Sequence, residues 1–266
     1  MRVLRAFGLA ACLALCVAGC DNPKTNPAPP AAASANAAPP APPPAPAASA
    51  SAAPAEGVAR KRKDPSSCPK DGTIAFDDAA VETVVRRQLR KPSGPVNRAE
   101  LKKIKTLDLS QAARDDELDP CIIPFATGVH GLYLAPGDLD DISLLKGLTS
   151  VESLRLAATK INDLSSLASM SKLDRLDIGR TPVRDLKPLA GLKSLTELEL
   201  DDTEISDLSP LAQLSNLEVL LIKRTRVSDV SPLKGLRKLK HLYIEGSLVR
   251  DVSPLSGLTT LKIHQG

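Results

Sequence analysis

The stretch "ISDLSPLAQLSNLEVLLIKRTR", residues 205–226, is followed at once by "VSDVSPLKGLRKLKHLYIEGSL", residues 227–248. The same pattern starts at Ile161, Val183 and Val249, each copy 22 residues after the last. Aligned on their acid, Asp141, Asp163, Asp185, Asp207, Asp229 and Asp251 share one column. Leu145, Leu167, Leu189, Leu211, Leu233 and Leu255 share another, and Leu148, Met170, Leu192, Leu214, Leu236 and Leu258 a third. A short fixed period of this kind is the mark of a solenoid, in which no coil can bury its apolar positions alone and neighbouring coils bury them for one another. The "LxL" part of each copy alternates apolar and polar residues, as a half-buried strand does. "SPLKGL" starts with Ser then Pro, which predicts an N-cap and first-turn pair opening a short helical turn on the outside. The Asp column runs parallel to the stack rather than converging on one point. It is therefore expected to bond turn backbone N–H groups and not to ligate or catalyse. The column of Thr159, Thr181, Thr203, Thr225 and Ser247 is expected to satisfy turn backbone in the same way.

These residues resemble leucine-rich-repeat proteins, in particular the 22-residue, internalin-like class of bacterial surface proteins, over about residues 74–266. The resemblance implies an α/β fold: a right-handed solenoid with a parallel sheet on its concave face, short 3₁₀ turns on its convex face and an N-terminal helical cap. "FDDAAVETVVRRQL" suits the cap, with Val81, Val84, Val85 and Leu89 on one helical face and Asp78 just before it. Asn97 and Glu100 form a capping-box pair ahead of a second short helix. The spacing breaks between Leu109 and Leu132, which predicts an irregular first coil.

The N-terminus is of another kind. Arg2 and Arg5 precede an apolar run from Phe7 to Val17, the layout of a secretory signal. "VAGC", ending at Cys20, resembles the lipobox of bacterial lipoproteins and implies cleavage before Cys20 and lipidation of its sulfur. Residues 21–59 hold no Leu, Ile, Phe, Tyr, Trp or Met, so they cannot bury enough apolar area to fold and are expected to act as an extended Pro/Ala-rich tether. "RKRK" at residues 60–63 reads as a solvated boundary, with contact to anionic lipid or polymer as the alternative. The expected domains are a signal at 1–20, a linker at 21–66, a helical cap at 67–106 and the solenoid at 107–266. The expected location is the bacterial cell envelope, with membrane attachment through the N-terminal lipid.

Of five cysteines, Cys12 and Cys16 leave with the signal and Cys20 carries lipid. Cys68 and Cys121 remain, an even pair in an exported chain, for which a disulfide is the default. Two thiols without His partners do not complete a tetrahedral metal site. Given the resemblance, their bond would staple the cap to the irregular coil. From Asp64 onward 28 basic residues meet 29 acidic ones, which excludes the basic footprint of a nucleic-acid binder.

Function is expected where the columns disagree. One stripe of strand positions holds Tyr133, Arg155, Asp177, Glu199, Leu221 and Tyr243, ending at Gln265; its neighbour holds Arg175, Glu197, Val219 and His241, ending at Ile263. This alignment puts His264 in the core column. Val219, Leu221, Tyr243 and Ile263 would form an apolar patch between an acidic group (Glu197, Glu199, Asp201, Asp202) and basic Lys223 and Arg224. Such a patch suits recognition of a protein or peptide. A structural, self-associating envelope element using the C-terminal edge is the alternative. The three histidines, His130, His241 and His264, show no catalytic or metal spacing, so neither an enzyme nor a cofactor is expected.

Overall fold

The computed structural model describes residues 63–112 and 116–266. The signal, Cys20 and the linker up to residue 62 lie outside the described residues. Lys63, last of the basic cluster, is not simply solvated: its ammonium pairs with Asp77 at 2.7 Å and Asp119 at 3.0 Å. Asp64 caps a 3₁₀ turn at Pro65–Ser67.

Eight strands form one parallel sheet in chain order: β1 Thr106–Leu109, β2 Gly131–Leu134, β3 Ser153–Arg155, β4 Arg175–Asp177, β5 Glu197–Glu199, β6 Val219–Leu221, β7 His241–Tyr243 and β8 Lys262–His264. The central residue of each three-residue strand points inward, and Leu154, Leu176, Leu198, Leu220 and Leu242 are buried in one stack. Leu195, Leu200, Ile205, Leu208, Leu211 and Leu214 complete the buried ring of a typical coil.

Each outward turn is made by the Asp column. In all six copies the carboxylate Oδ1 accepts the backbone N–H two residues on, at 2.7–2.9 Å. That corrects the assignment of Ser as N-cap. Ser or Lys is the first residue of the 3₁₀ turn, as in Ser209–Gln213, and the residue before it, Leu208, has no side-chain cap. A carboxylate outcompetes a hydroxyl because a charged acceptor makes the stronger bond. The Thr column works on the other side. The buried hydroxyls of Thr159, Thr181, Thr203 and Thr225 donate to the carbonyl three residues back, at 2.6–2.7 Å. They close a turn whose preceding residue is left-handed in every copy: Ala158, Arg180, Asp202 and Arg224, then Gly246.

The N-terminal end is built differently. Helix α1, Ala79–Leu89, begins at Asp78, whose carboxylate accepts from Ala80 and Val81, and it buries Val85 against the first coil. Helix α2, Arg98–Leu101, carries the Asn97/Glu100 capping box. Cys68 and Cys121 are bonded, Cα atoms 5.5 Å apart, tying the residue after the Pro65–Ser67 turn to the irregular loop before β2. Gly128 in that loop passes so close to the cap that a Cβ would lie 1.9 Å from the Lys102 carbonyl oxygen.

The last coil departs from the column count. Leu239 and Leu242 are three residues apart, but the matching Leu261 and Ile263 only two. The sheet accordingly pairs His241 with Lys262, Leu242 with Ile263 and Tyr243 with His264. The expectation of Ile263 on the outer stripe and His264 in the core is overturned. A one-residue slip exchanges the faces of a strand, and the register that turns the aliphatic side chain inward is the one adopted.

Candidate functional site: the concave face

With the register known, the two outward stripes of the sheet can be followed from end to end. The first ends in Val219, His241 and Lys262; the second ends in Leu221, Tyr243 and His264. The inferred contact residues fall into two groups.

The first group closes around a shallow cavity of about 130 Å³ lined by Tyr133, Ser153, Arg155, Arg175, Asp177, Glu197 and Glu199. Six of the residues inferred from the columns are thus brought together. Gly131 makes room for Tyr133: a Cβ there would stand 3.3 Å from the ring and hydroxyl. The phenol lies beside its own strand with its hydroxyl 3.4 Å from Ser153 Oγ. Arg155 reaches across to Asp177 at 3.1 Å. Arg175 and Glu197, opposite one another in register, are both exposed. The rim therefore offers both signs of charge over an aromatic wall.

Glu199 is half-buried, and its carboxyl is pushed above the usual range by burial first, then by repulsion from Asp177 and Asp201. Asp201 is buried and its carboxyl is also raised by burial, although the Lys223 backbone N–H donates to it at 2.7 Å. Both carboxyls keep a raised value although cations stand near them, Arg155 by Glu199 and Lys223 by Asp201, because burial outweighs those attractions. Asp202 differs. Its salt bridge to Arg224 holds it below the usual range.

The second group lies toward the C-terminal end. Val219 and Leu221 are half-buried rather than fully exposed. Lys223 Nζ sits 4.9 Å from the Tyr243 ring centre. Tyr243 stacks on His264 with centres 4.1 Å apart, and His241 Nδ1 is 3.3 Å from His264 Nε2. The apolar patch is smaller than expected, because Ile263 turns inward, and its place is taken by Lys262 and His264. The signal that would have revealed this is the two-residue Leu261–Ile263 spacing.

A smaller cavity of about 60 Å³ lies between α1 and the first coil, walled by Phe76, Val81, Leu109, Leu118, Ile122 and Leu134. Its walls are aliphatic and aromatic, with the Lys63 ion pairs at its mouth, and it brings no nucleophile and base together. Among the described residues there is no group of three or more His, Cys, Asp or Glu placed to hold a metal. No described helix is long and apolar enough to cross a membrane.

No protein-family profile matches the chain, and no curated protein matches it. Solved structures do. An internalin, InlF, from Listeria monocytogenes superposes with a TM-score of 0.64 at 30% identity, covering 71% of this chain and 56% of that one. The chain thus spans little more than half of that internalin. Internalin C2 from the same bacterium gives a TM-score of 0.59 at 28% identity, over 72% of this chain and 94% of that one. A leucine-rich-repeat protein from Leptospira interrogans shares the fold alone, with a TM-score of 0.56 at 19% identity over 62% and 44%.

Proposed function

This chain being a leucine-rich-repeat protein of the internalin-like, 22-residue class, we propose that it is a non-enzymatic scaffold that binds a protein or peptide on its concave face. The observation that carries this is the contrast between columns. Asp, Thr and Leu repeat from coil to coil, whereas the outward strand positions change in every coil and enclose a hollow with charged walls. Complementary charge around an aromatic wall gives selectivity more than raw affinity. A ligand segment with a basic residue over Glu197 and Glu199 and an apolar residue over Leu221 fits the face. The N-terminal lipid at Cys20 and the Pro/Ala-rich tether would hold this scaffold away from a membrane in the bacterial envelope.

The test uses the full chain, immobilised and exposed to solubilised envelope. Three forms are compared: the unaltered chain, a face variant with Glu199→Lys and Leu221→Glu, and a control with Lys193→Glu on the turn before β5. A protein retained by the first and third but lost from the second supports the proposal. Equal retention by all three removes the concave face from it. Retention of nothing, with mass rising with concentration, favours the self-associating envelope element. Fractionation of cells carrying Cys20→Ser reads the anchor in the same experiment: release into the soluble fraction is expected.

A further inference from the structure

We propose that His241 and His264 form a binding site for a divalent transition-metal ion of the kind imidazole binds, with Zn²⁺ or Cu²⁺ as the class of ligand. The site exists only because the last coil is one residue short. With unbroken spacing, residue 264 would face the core; the shortened coil turns His264 outward, diagonally across from His241 on the neighbouring strand. His241 Nδ1 and His264 Nε2 are hydrogen-bonded to one another at 3.3 Å, so a metal ion held by both takes the place of the shared proton, which moves to the donor ring's other nitrogen or to solvent. Two nitrogens each about 2.0–2.1 Å from a tetrahedral zinc ion are themselves about 3.3 Å apart, so the spacing already matches two corners of that polyhedron.

The rings are held in place. His264 stacks on Tyr243 with an interplanar angle of 9°, and His241 lies at 26° to His264 with centres 5.6 Å apart. Both sit on strands rather than on a mobile loop, and strands position ligands better than loops do. The ligand type selects the ion: imidazole favours zinc and copper, whereas Mg²⁺ and Ca²⁺ take oxygen ligands. Lys262, paired in register with His241, and Lys223, over the Tyr243 ring, oppose any dication alike and limit the affinity.

Two imidazoles leave positions open, because no described His, Cys, Asp or Glu joins them. Water fills those positions, or a carboxylate or imidazole from a molecule lying on the concave face. The proposal does not depend on such a molecule, and the metal alone is the probe.

The experiment is a titration of the full chain with ZnCl₂ in a non-chelating buffer, followed by the ring-nitrogen resonances of its three histidines. Ring signals keep the readout apart from metal taken up by the N-terminal thiols. The expected result is that His241 Nδ1 and His264 Nε2 move together along one saturable curve. His130, whose Nδ1 lies 2.8 Å from the Gly128 carbonyl, stays unchanged. His241→Ala and His264→Ala each weaken binding at the remaining ring at least tenfold, and His130→Ala does not. The proposal is overturned if the two rings shift independently, if the opposite ring nitrogens respond, if neither ring shifts, or if either single variant binds as the unaltered chain does.

Discussion

The turns entering the convex side and the concave face of the sheet both carry a row of acids, and the two rows are in opposite circumstances. Asp207, Asp229 and Asp251 are exposed, and the Ser two residues on donates to each. Glu199 and Asp201 are drawn into the sheet surface beside other carboxylates. The first row repeats because the backbone needs the same acceptor at the same place in each coil. The second occurs in one stretch of the face only, where burial holds its carboxyls above the usual range. In a solenoid, repetition marks what holds the coils together, and departure from it marks where another molecule can be recognised.

The largest test of that division lies at the N-terminal end, where no repeat supplies the frame and a covalent bond does so instead. Cys68 and Cys121 close a loop across 53 residues. Chain-entropy arguments give such a closure about 4 kcal/mol. Cys121→Ser is therefore expected to lower the stability seen in denaturant unfolding by about that amount. The loss should be felt first at α1 and the first coil, since each coil contacts only its neighbours. Hydrogen exchange that accelerated equally over every coil would show that the solenoid melts as one unit, and the two-region description would fail.

Within the repeats the contrast can be sharpened with two leucines one coil apart. Leu198 is fully buried in the β5 core column, whereas Leu221 is half-buried on the outer face of β6. Leu198→Ala is expected to cost about 3 kcal/mol through lost transfer energy and a residual cavity. Leu221→Ala should cost about 1 kcal/mol or less, because only part of its area is removed from water on folding and no enclosed cavity is left. Equilibrium unfolding of the two variants decides it. Similar losses would mean that Leu221 belongs to the frame, and the face would have to be redrawn around Tyr133 and Arg155.

How much of this was legible beforehand follows from the same division. The frame was readable because it repeats: the Asp and Thr columns, the buried Leu stacks and the α1 face all follow from period and side-chain chemistry. The Cys pair was readable by count. The Ser cap was misassigned because a Ser–Pro pair looks like a cap when taken alone; the carboxylate two residues earlier is the better acceptor. The last strand was misregistered because a three-residue strand fits two alignments, and only burial of Ile263 in place of an imidazole selects one. The cavity was half-visible. Tyr133, Arg155 and Asp177 share a column, but that Tyr133 leans over Gly131 and that Arg155 turns toward Asp177 are matters of side-chain direction, which spacing does not encode. Sequence reasoning gave more weight to the apolar Val219–Tyr243 end, whereas the hollow lies at the other.

The smallest expected effect is also the one that separates the two rows of acids most directly, because their contributions to stability depend on pH with opposite sign. Asp207 and Asp229 are held below the usual carboxylate range by hydrogen bonds from Ser209 and Ser231, and Asp251 by the Ser253 backbone N–H and side chain. The folded state then binds protons less readily than the unfolded state. Their contribution is complete above the unfolded value of about 3.9 and is lost as the pH falls below it through the depressed folded values. For Glu199 and Asp201 the folded values are raised, so between the unfolded and folded values it is the folded state that holds more protons. Their ionisation works against folding, and stability falls as the pH rises through that window. On acidification from neutrality, the denaturation midpoint should first rise slightly and then drop below about pH 4. Glu199→Gln should flatten the rise and leave the drop, whereas Asp207→Asn should soften the drop and leave the rise. A Glu199→Gln profile that kept the full rise would mean that the concave acids are no more strained than those of the frame, and that nothing in the free protein prepares this face for a cation.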